Sequence, residues 1–524
     1  MGTRTRRDPL ARPEPRIPRA WNRGGRAGSM RHRWARALTG KRGREILSLA
    51  TLVVVGALMR IWALGGTSFA LGSDESRYVA VAQNLALGHL PDGDAQWFGA
   101  RAVFLWPVAL IFRVVGANDY TAVAWPFFIS LVSIIACYLV AREITGRRQA
   151  VVAAAIVAVA PVEVLMATHL RPDAVMPAFV ALAVWAAFRT RTNTHTGAWL
   201  VTSGVLMGAG WACRETAILM VPVVVVAAWP ALRASWRRVA ELIAGLVAVP
   251  LIEVIVFAFA GRPLWPLTAT AGASNLRTPG AALENGSTFA GLLGSEVVHS
   301  GSLVLLTLPV VALALVVGIL RRQHSIIVPA IWLVVGYAVL EIGAIVSVGA
   351  PARFLTLLTI PAALLMAIAF DCRASPLLIV AVAIVTVLAI APRIDQSATD
   401  ANVRLVSAVA DVMRDLPRAP ILAADYVWWA KLNAFLPTGT LAVDRVVDPA
   451  YLSDAGRATA RRLSPLPDIA AYRGGYVVTG PVTPTNGWPT NWQAFAEQVR
   501  KQVPWKRLEP VARVGNTTVW RWNR

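Results

Sequence analysis

Two adjacent carboxylates, Asp74 and Glu75, open the stretch DESRYVAVAQNLALG about ten residues beyond the first long apolar run. A carboxylate placed there can take the proton from an attacking hydroxyl. The pair also suits a helix start, since Ser73 is a good cap and acidic side chains favour the first turn. A second group, His169-Leu170-Arg171-Pro172-Asp173, follows a later apolar run. It reads as a second acidic site or as a polar membrane exit with an Arg–Asp pair. Arg353, in GAPARFLTLLTIP, and Arg214-Glu215, in GWACRETAILMVP, also stand at the ends of apolar runs. A guanidinium at headgroup height can hold two oxygens of a lipid phosphate, and a snorkelling interfacial Arg is the competing reading for Arg353. Arg214 reads as the ion partner of Glu215 or as a second phosphate contact.

The elements that must position these residues are membrane spans. The 524-residue chain is 56% hydrophobic and 15% charged, where a soluble domain is about half apolar and a quarter charged. Apolar runs of roughly 15–20 residues recur, long enough to cross a hydrocarbon core of about 30 Å. The net charge of +22 does not indicate a nucleic-acid partner, because it is concentrated in one place. Residues 1–45 hold fourteen Arg or Lys against three acids, so this tail carries +11. Rich in Pro, Gly and Arg, it is expected to be a disordered cytoplasmic segment that retains the N-terminus and meets anionic lipid headgroups. No cleavable signal peptide is expected. Cys137, Cys213 and Cys372 are scattered and make neither a disulfide framework nor a metal cluster.

Spans are expected near 46–64, 120–141, 149–167, 174–188, 198–212, 216–231, 239–259, 301–320, 325–348, 354–370 and 376–391. With the basic tail inside, the inner connections become Arg142–Arg148, Arg189–Thr196, Leu232–Arg238, Arg321–His324 and Asp371–Ser375. Each carries at least one Arg, as the positive-inside rule requires. Residues 102–115 are apolar but short, and they contain Pro107 and Arg113. An interfacial helix fits them better than a crossing, which leaves 65–119 as one long outer loop. That topology puts Asp74, Glu75, Asp173, Arg214 and Arg353 together at the outer membrane boundary. Apart from Glu341, the spans are expected to lack inverted repeats, interruptions and ionisable groups near mid-membrane.

A second outer loop, 260–300, is rich in Gly, Pro, Ser and Thr and suits a lid or binding element. From 392 to 524 the chain is more polar. APILAAD, GGYVVTG and LEPVARVGNTTVWRW read as strands and WQAFAEQVRKQV as an amphipathic helix. The expectation is an α-helical polytopic membrane protein of about eleven spans with a small extracytoplasmic α/β domain at its C-terminus.

The chain resembles the GT-C superfamily of integral membrane glycosyltransferases. It is most similar to the branch that includes protein O-mannosyltransferases, aminoarabinose transferases and lipopolysaccharide-core transferases. DESRYVAVAQNLALG, GRRQAVVAAAIVAVAP, RPDAVMPAFVALAVWAAFR and PARFLTLLTIPAALLMA carry the resemblance, over residues 45–391. It implies transfer of a sugar from a polyprenyl-phosphate carrier to a glycan, lipid or protein acceptor at the outer face of the cell membrane, with inversion. Carried onto this chain, Asp74 is the base or a metal-coordinating acid, supported by Glu75, and Asp173 is the second acidic residue. Arg353 stands near the carrier phosphate, with Arg214, Arg171, Tyr78 and Arg101 as further substrate contacts. A divalent cation, where one is used, would fall to Asp74, Asp173 and His169. The branch often has Lys-Pro-Pro ahead of the juxtamembrane helix, where this chain reads WFGARAVFLWP. That departure bears on substrate identity and on any positioning role for Arg101.

The rival expectation is a transporter or lipid flippase for an envelope precursor. Its signs would be inverted repeats, interrupted spans and ionisable groups near mid-membrane.

Overall fold

The computed structural model describes residues 41–66, 73–91, 99–266, 312, 315–316, 326–346, 355–369 and 375–399. Beyond these it describes parts of 408–423 and then 474–479, 508–515 and 517–523. The chain divides into two units, Met1–Ser48 and Leu49–Arg524. Of the first, residues 41–48 are described, and they are helical.

Helix α1 (Lys41–Gly66) is the first long apolar run. Helix α2 (Ser73–Ala86) begins at the acidic pair, as a helix start there predicts. Helix α3 (Ala102–Val115) has the bounds expected of the juxtamembrane segment, and 14 residues reach only about 21 Å. Its Phe104, Leu105, Val108 and Phe112 are buried, and Tyr78 of α2 packs edge-on against Phe104 at 5.0 Å. Helix α4 (Asp119–Ile144) starts on a capping box, in which Asn118 Oδ1 accepts from the Thr121 amide and Thr121 Oγ1 accepts from the Asn118 amide.

The expected span 149–167 is broken. Helix α5 (Arg147–Val159) stops at extended Ala160, and a short α6 (Pro161–Met166) follows. Pro161 lacks the amide needed to continue α5 but suits the first position of a new helix. After the 3₁₀ turn Pro172–Ala174 come α7 (Met176–Arg189) and α8 (Thr196–Cys213). A second 3₁₀ turn, Glu215–Met220, leads into α9 (Val221–Leu232), followed by α10 (Trp236–Phe259). Helices α11 (Ile327–Val346), α12 (Thr356–Ala369) and α13 (Ser375–Thr399) fall on expected spans. Most of the expected span 301–320 and of the loop 260–300 lies outside the described residues.

Five of these segments are long and apolar enough to cross a membrane: Gly43–Leu64, Tyr120–Ile144, Pro172–Arg189, Glu215–Leu232 and Trp236–Phe259. The protein is a multi-pass membrane protein. Alanine-rich α5 and α7 lie in the core, buried along most of their length. By contrast α10 exposes Ile243, Val247, Leu251, Ile252 and Ile255, an apolar face that suits lipid. Helices α8 and α10 touch backbone to backbone. A Cβ at Gly204 or Gly208 would collide with the carbonyls of Leu242 or Leu246, and one at Gly245 with that of Val201. Small residues let membrane helices approach this closely, and packing then holds them.

Further along, β1 (Ile421–Ala423), β2 (Gly474–Thr479), β3 (Leu508–Val514) and β4 (Thr517–Asn523) form one sheet in the order β1-β2-β4-β3. β1 runs parallel to β2, and the other pairs are antiparallel. These are the strands expected from sequence. The helix expected at 492–503 lies outside the described residues.

Candidate functional site

The site gathers around Glu75, in the first turn of α2. Its side chain is buried, and His169 Nδ1 lies 2.9 Å from Oε1 while Arg171 Nε donates to the same oxygen at 2.6 Å. Burial pushes the Glu75 carboxyl up, but His169 and Arg171 beside it outweigh that and hold it below the ordinary carboxylate range. Its helix-start position is therefore compatible with a tertiary role, because the side chain turns to the 169–171 segment.

That segment is set by local chemistry. Arg171 precedes Pro172 and takes the extended conformation that a following proline favours, with φ −137° and ψ 137°. Pro172 then starts the 3₁₀ turn that carries Asp173, which is buried and paired with Arg214. Thr356 Oγ1, at the start of α12, donates to the Asp173 carbonyl at 2.8 Å and ties a third part of the chain to the same place.

Arg214 is the extended residue between α8 and the second 3₁₀ turn, and Glu215 beside it accepts two bonds from Arg101 Nη2, at 3.0 and 3.2 Å. Arg101, at the N-cap of α3, also donates to the Tyr78 hydroxyl of α2. Glu75 with His169 and Arg171, Asp173 with Arg214, and Arg101 with Tyr78 and Glu215 thus form three contact groups drawn from four regions of sequence.

Two expected members are not among them. Asp74 lies in the first turn of α2, but its side chain is outside the described residues, and Arg353 falls outside them entirely. The described residues do not fit a metal centre, because no three His, Cys, Asp or Glu among them gather as a cation would need. Glu75 and His169 do meet, but the Arg171 guanidinium on the same carboxylate opposes a cation there.

Besides Glu341, other ionisable groups stand within the helices. Arg60 in α1, Glu163 in α6 and Glu253 in α10 are all buried. Arg60 donates to the carbonyls of Gly56 and Ala158 and to Ser130 Oγ. These contacts replace water around the guanidinium, which is what lets a charge persist there. The Glu341 side chain is outside the described residues.

Residues 102–257 match the family model described as dolichyl-phosphate-mannose-protein mannosyltransferase. The chain is similar in structure to the archaeal oligosaccharyltransferase AglB from Archaeoglobus fulgidus in complex with an inhibitory peptide and a dolichol-phosphate. The TM-score is 0.52 at 12% identity, covering 84% of this chain and 70% of that one. The apo form of the Archaeoglobus fulgidus oligosaccharyltransferase gives a TM-score of 0.51 at 12% identity, with coverage of 84% and 70%. The chain shares the fold of these oligosaccharyltransferases. ArnT from Cupriavidus metallidurans bound to undecaprenyl phosphate also matches, with a TM-score of 0.44 at 14% identity over 92% of this chain and 98% of that one. No curated protein sequence matches the chain. The part matched by the family model holds Asp173, Arg214 and Glu215, while the acidic pair of α2 precedes it.

Proposed function

We propose that the protein is a membrane glycosyltransferase that moves a sugar from a polyprenyl-phosphate carrier to an acceptor hydroxyl at the extracytoplasmic face. The observation that carries this reading is the convergence of three acid–Arg pairs, Glu75–Arg171, Asp173–Arg214 and Glu215–Arg101, from distant parts of the chain. Acids that can accept a proton and guanidiniums that can hold a phosphate then stand side by side. The dolichol-phosphate bound to AglB supports a carrier of that class.

In the reaction proposed, the acceptor oxygen attacks the anomeric carbon from the face opposite the phosphate. The bond from that carbon to the phosphate oxygen breaks, its electron pair leaves with the polyprenyl phosphate, and the configuration inverts. Asp74 takes the acceptor proton, with Glu75 and Asp173 orienting the surrounding cations. Arg101, Arg171, Arg214 and Arg353 offset the charge that develops on the leaving phosphate. At an effective dielectric near 20, one opposite charge about 4 Å away is worth about 4 kcal/mol, enough to govern a barrier.

The organisation proposed with it is a cytoplasmic basic tail (1–45), a transmembrane catalytic domain of about eleven spans (46–391) and an extracytoplasmic α/β domain (392–524). Mass spectrometry of envelope glycans and glycoproteins tests the function in a deletion strain complemented with wild type or Asp74→Asn. A sugar that is lost on deletion and restored by wild type but not by D74N supports it. An unchanged envelope contradicts it.

The buried charges Arg60, Glu163 and Glu253 favour one second reading, a transporter or flippase for an envelope precursor. That reading predicts lipid movement across vesicles without any new glycosidic bond.

A further inference from the structure

At extended Ala160 the chain leaves α5 and starts α6, so the carbonyls in the last turn of α5 lack helical amides to receive them. Inside a membrane such groups must find partners within the protein. Two of them do, from distant parts of the sequence. Arg60 of α1 donates from Nη1 to the Ala158 carbonyl at 2.9 Å, while its Nε is held by Ser130 Oγ of α4. The Thr386 hydroxyl of α13 donates to the Val159 carbonyl, a bond shared with the Val382 carbonyl of its own helix. One turn further along, Ala63 of α1 and Ile390 of α13 close on Val164 of α6 in a buried cluster. Arg60 is fully buried, so it is not a side chain reaching for headgroups. The break is thus clamped from two sides.

What the clamp holds leads directly into the candidate site. The amides of Ala167, Thr168 and His169 bond back to the carbonyls of Glu163, Leu165 and Met166, and the Arg171 amide bonds to the His169 carbonyl. His169 and Arg171 reach Glu75 from this frame, so the direction in which α6 leaves the break sets their approach. We infer that Arg60 and Thr386 are positioning residues for the segment 169–171, capping the freed carbonyls so that both side chains meet Glu75. The transfer arm of the test rests on the function proposed above; the exchange arm does not.

The test is hydrogen exchange, read peptide by peptide by mass spectrometry on the purified full-length protein. Arg60→Met and Thr386→Val each remove one cap, and T386V keeps the side-chain shape. Both should speed exchange across 167–171 about tenfold while peptides of α8 and α10 exchange as in wild type. Thr386→Ser, which restores the hydroxyl, should stay within about threefold of wild type. In a transfer assay from a polyprenyl-phosphate sugar, either variant should lower kcat/KM about tenfold, add nothing in a Glu75→Gln background and add fully to Arg101→Lys. Should R60M not accumulate, T386V carries the same series. Unchanged exchange at 167–171 in T386V overturns the inference. So does acceleration spread evenly over the protein, or a transfer defect that simply adds to E75Q. Local acceleration in a protein whose wild type transfers no sugar overturns the proposed function and leaves the positioning role standing.

Discussion

Arg171 Nε donates to Glu75 Oε1 at 2.6 Å, joining two residues 96 apart in sequence through a bond almost sealed from solvent. It fastens the start of α2 to the segment between α6 and α7. Glu75→Gln removes the charge while keeping the shape, and leaves Arg171 and His169 facing a neutral amide. The expected result is a loss of about 1–3 kcal/mol, read as a lower melting temperature, together with reduced transfer.

The same carboxyl gives a pH dependence with a definite sign. Its folded pKa lies below the unfolded value of about 4.3, so its contribution is fully present above that value and is lost as pH falls through the folded pKa. The melting-temperature difference between wild type and E75Q should be largest above the ordinary carboxylate range and shrink as pH falls below it. A difference that instead vanishes between pH 6 and 8 would contradict this assignment.

Arg101 meets the Tyr78 hydroxyl and the Glu215 carboxylate from one planar group. Lysine keeps the charge but cannot span both partners. Arg101→Lys should therefore raise the KM for the lipid donor by about tenfold with a smaller change in kcat, measured in a transfer assay with varied donor.

Helices α8 and α10 predict a purely structural failure. Gly204→Val places a side chain against the Leu242 carbonyl, where the neighbour is backbone and cannot swing aside. A loss of about 3 kcal/mol is expected, seen as poor recovery of monodisperse protein in detergent. A Val at Gly146, where an added Cβ meets nothing, is the control.

Much of this was legible in the sequence, for physical reasons that differ by element. The apolar runs marked most helices because burial in lipid leaves a composition signal, and the alternation in GGYVVTG and TTVWRW marked strands. The acids and Arg residues of the site stood out because polar groups at span ends are few. The pairing was not legible: nothing local says that Arg214 meets Asp173 while Glu215 turns to Arg101. Arg60, Glu163 and Glu253 escaped because an apolar window averages a lone charge away. Pro161-Val162-Glu163 did carry a signal, a proline and an acid inside a supposed span. Asp74 and Arg353 were named from sequence, and their side chains lie outside the described residues.

The central claim is that the Glu75 and Asp173 contact groups serve sugar transfer from a lipid phosphate. Its most direct test is incorporation of labelled sugar from a polyprenyl-phosphate donor by the purified full-length protein in proteoliposomes, comparing wild type with Asp173→Asn. The account predicts incorporation by wild type and a loss of at least about a hundredfold in D173N at a similar melting temperature. Transfer by D173N at the wild-type rate would contradict it.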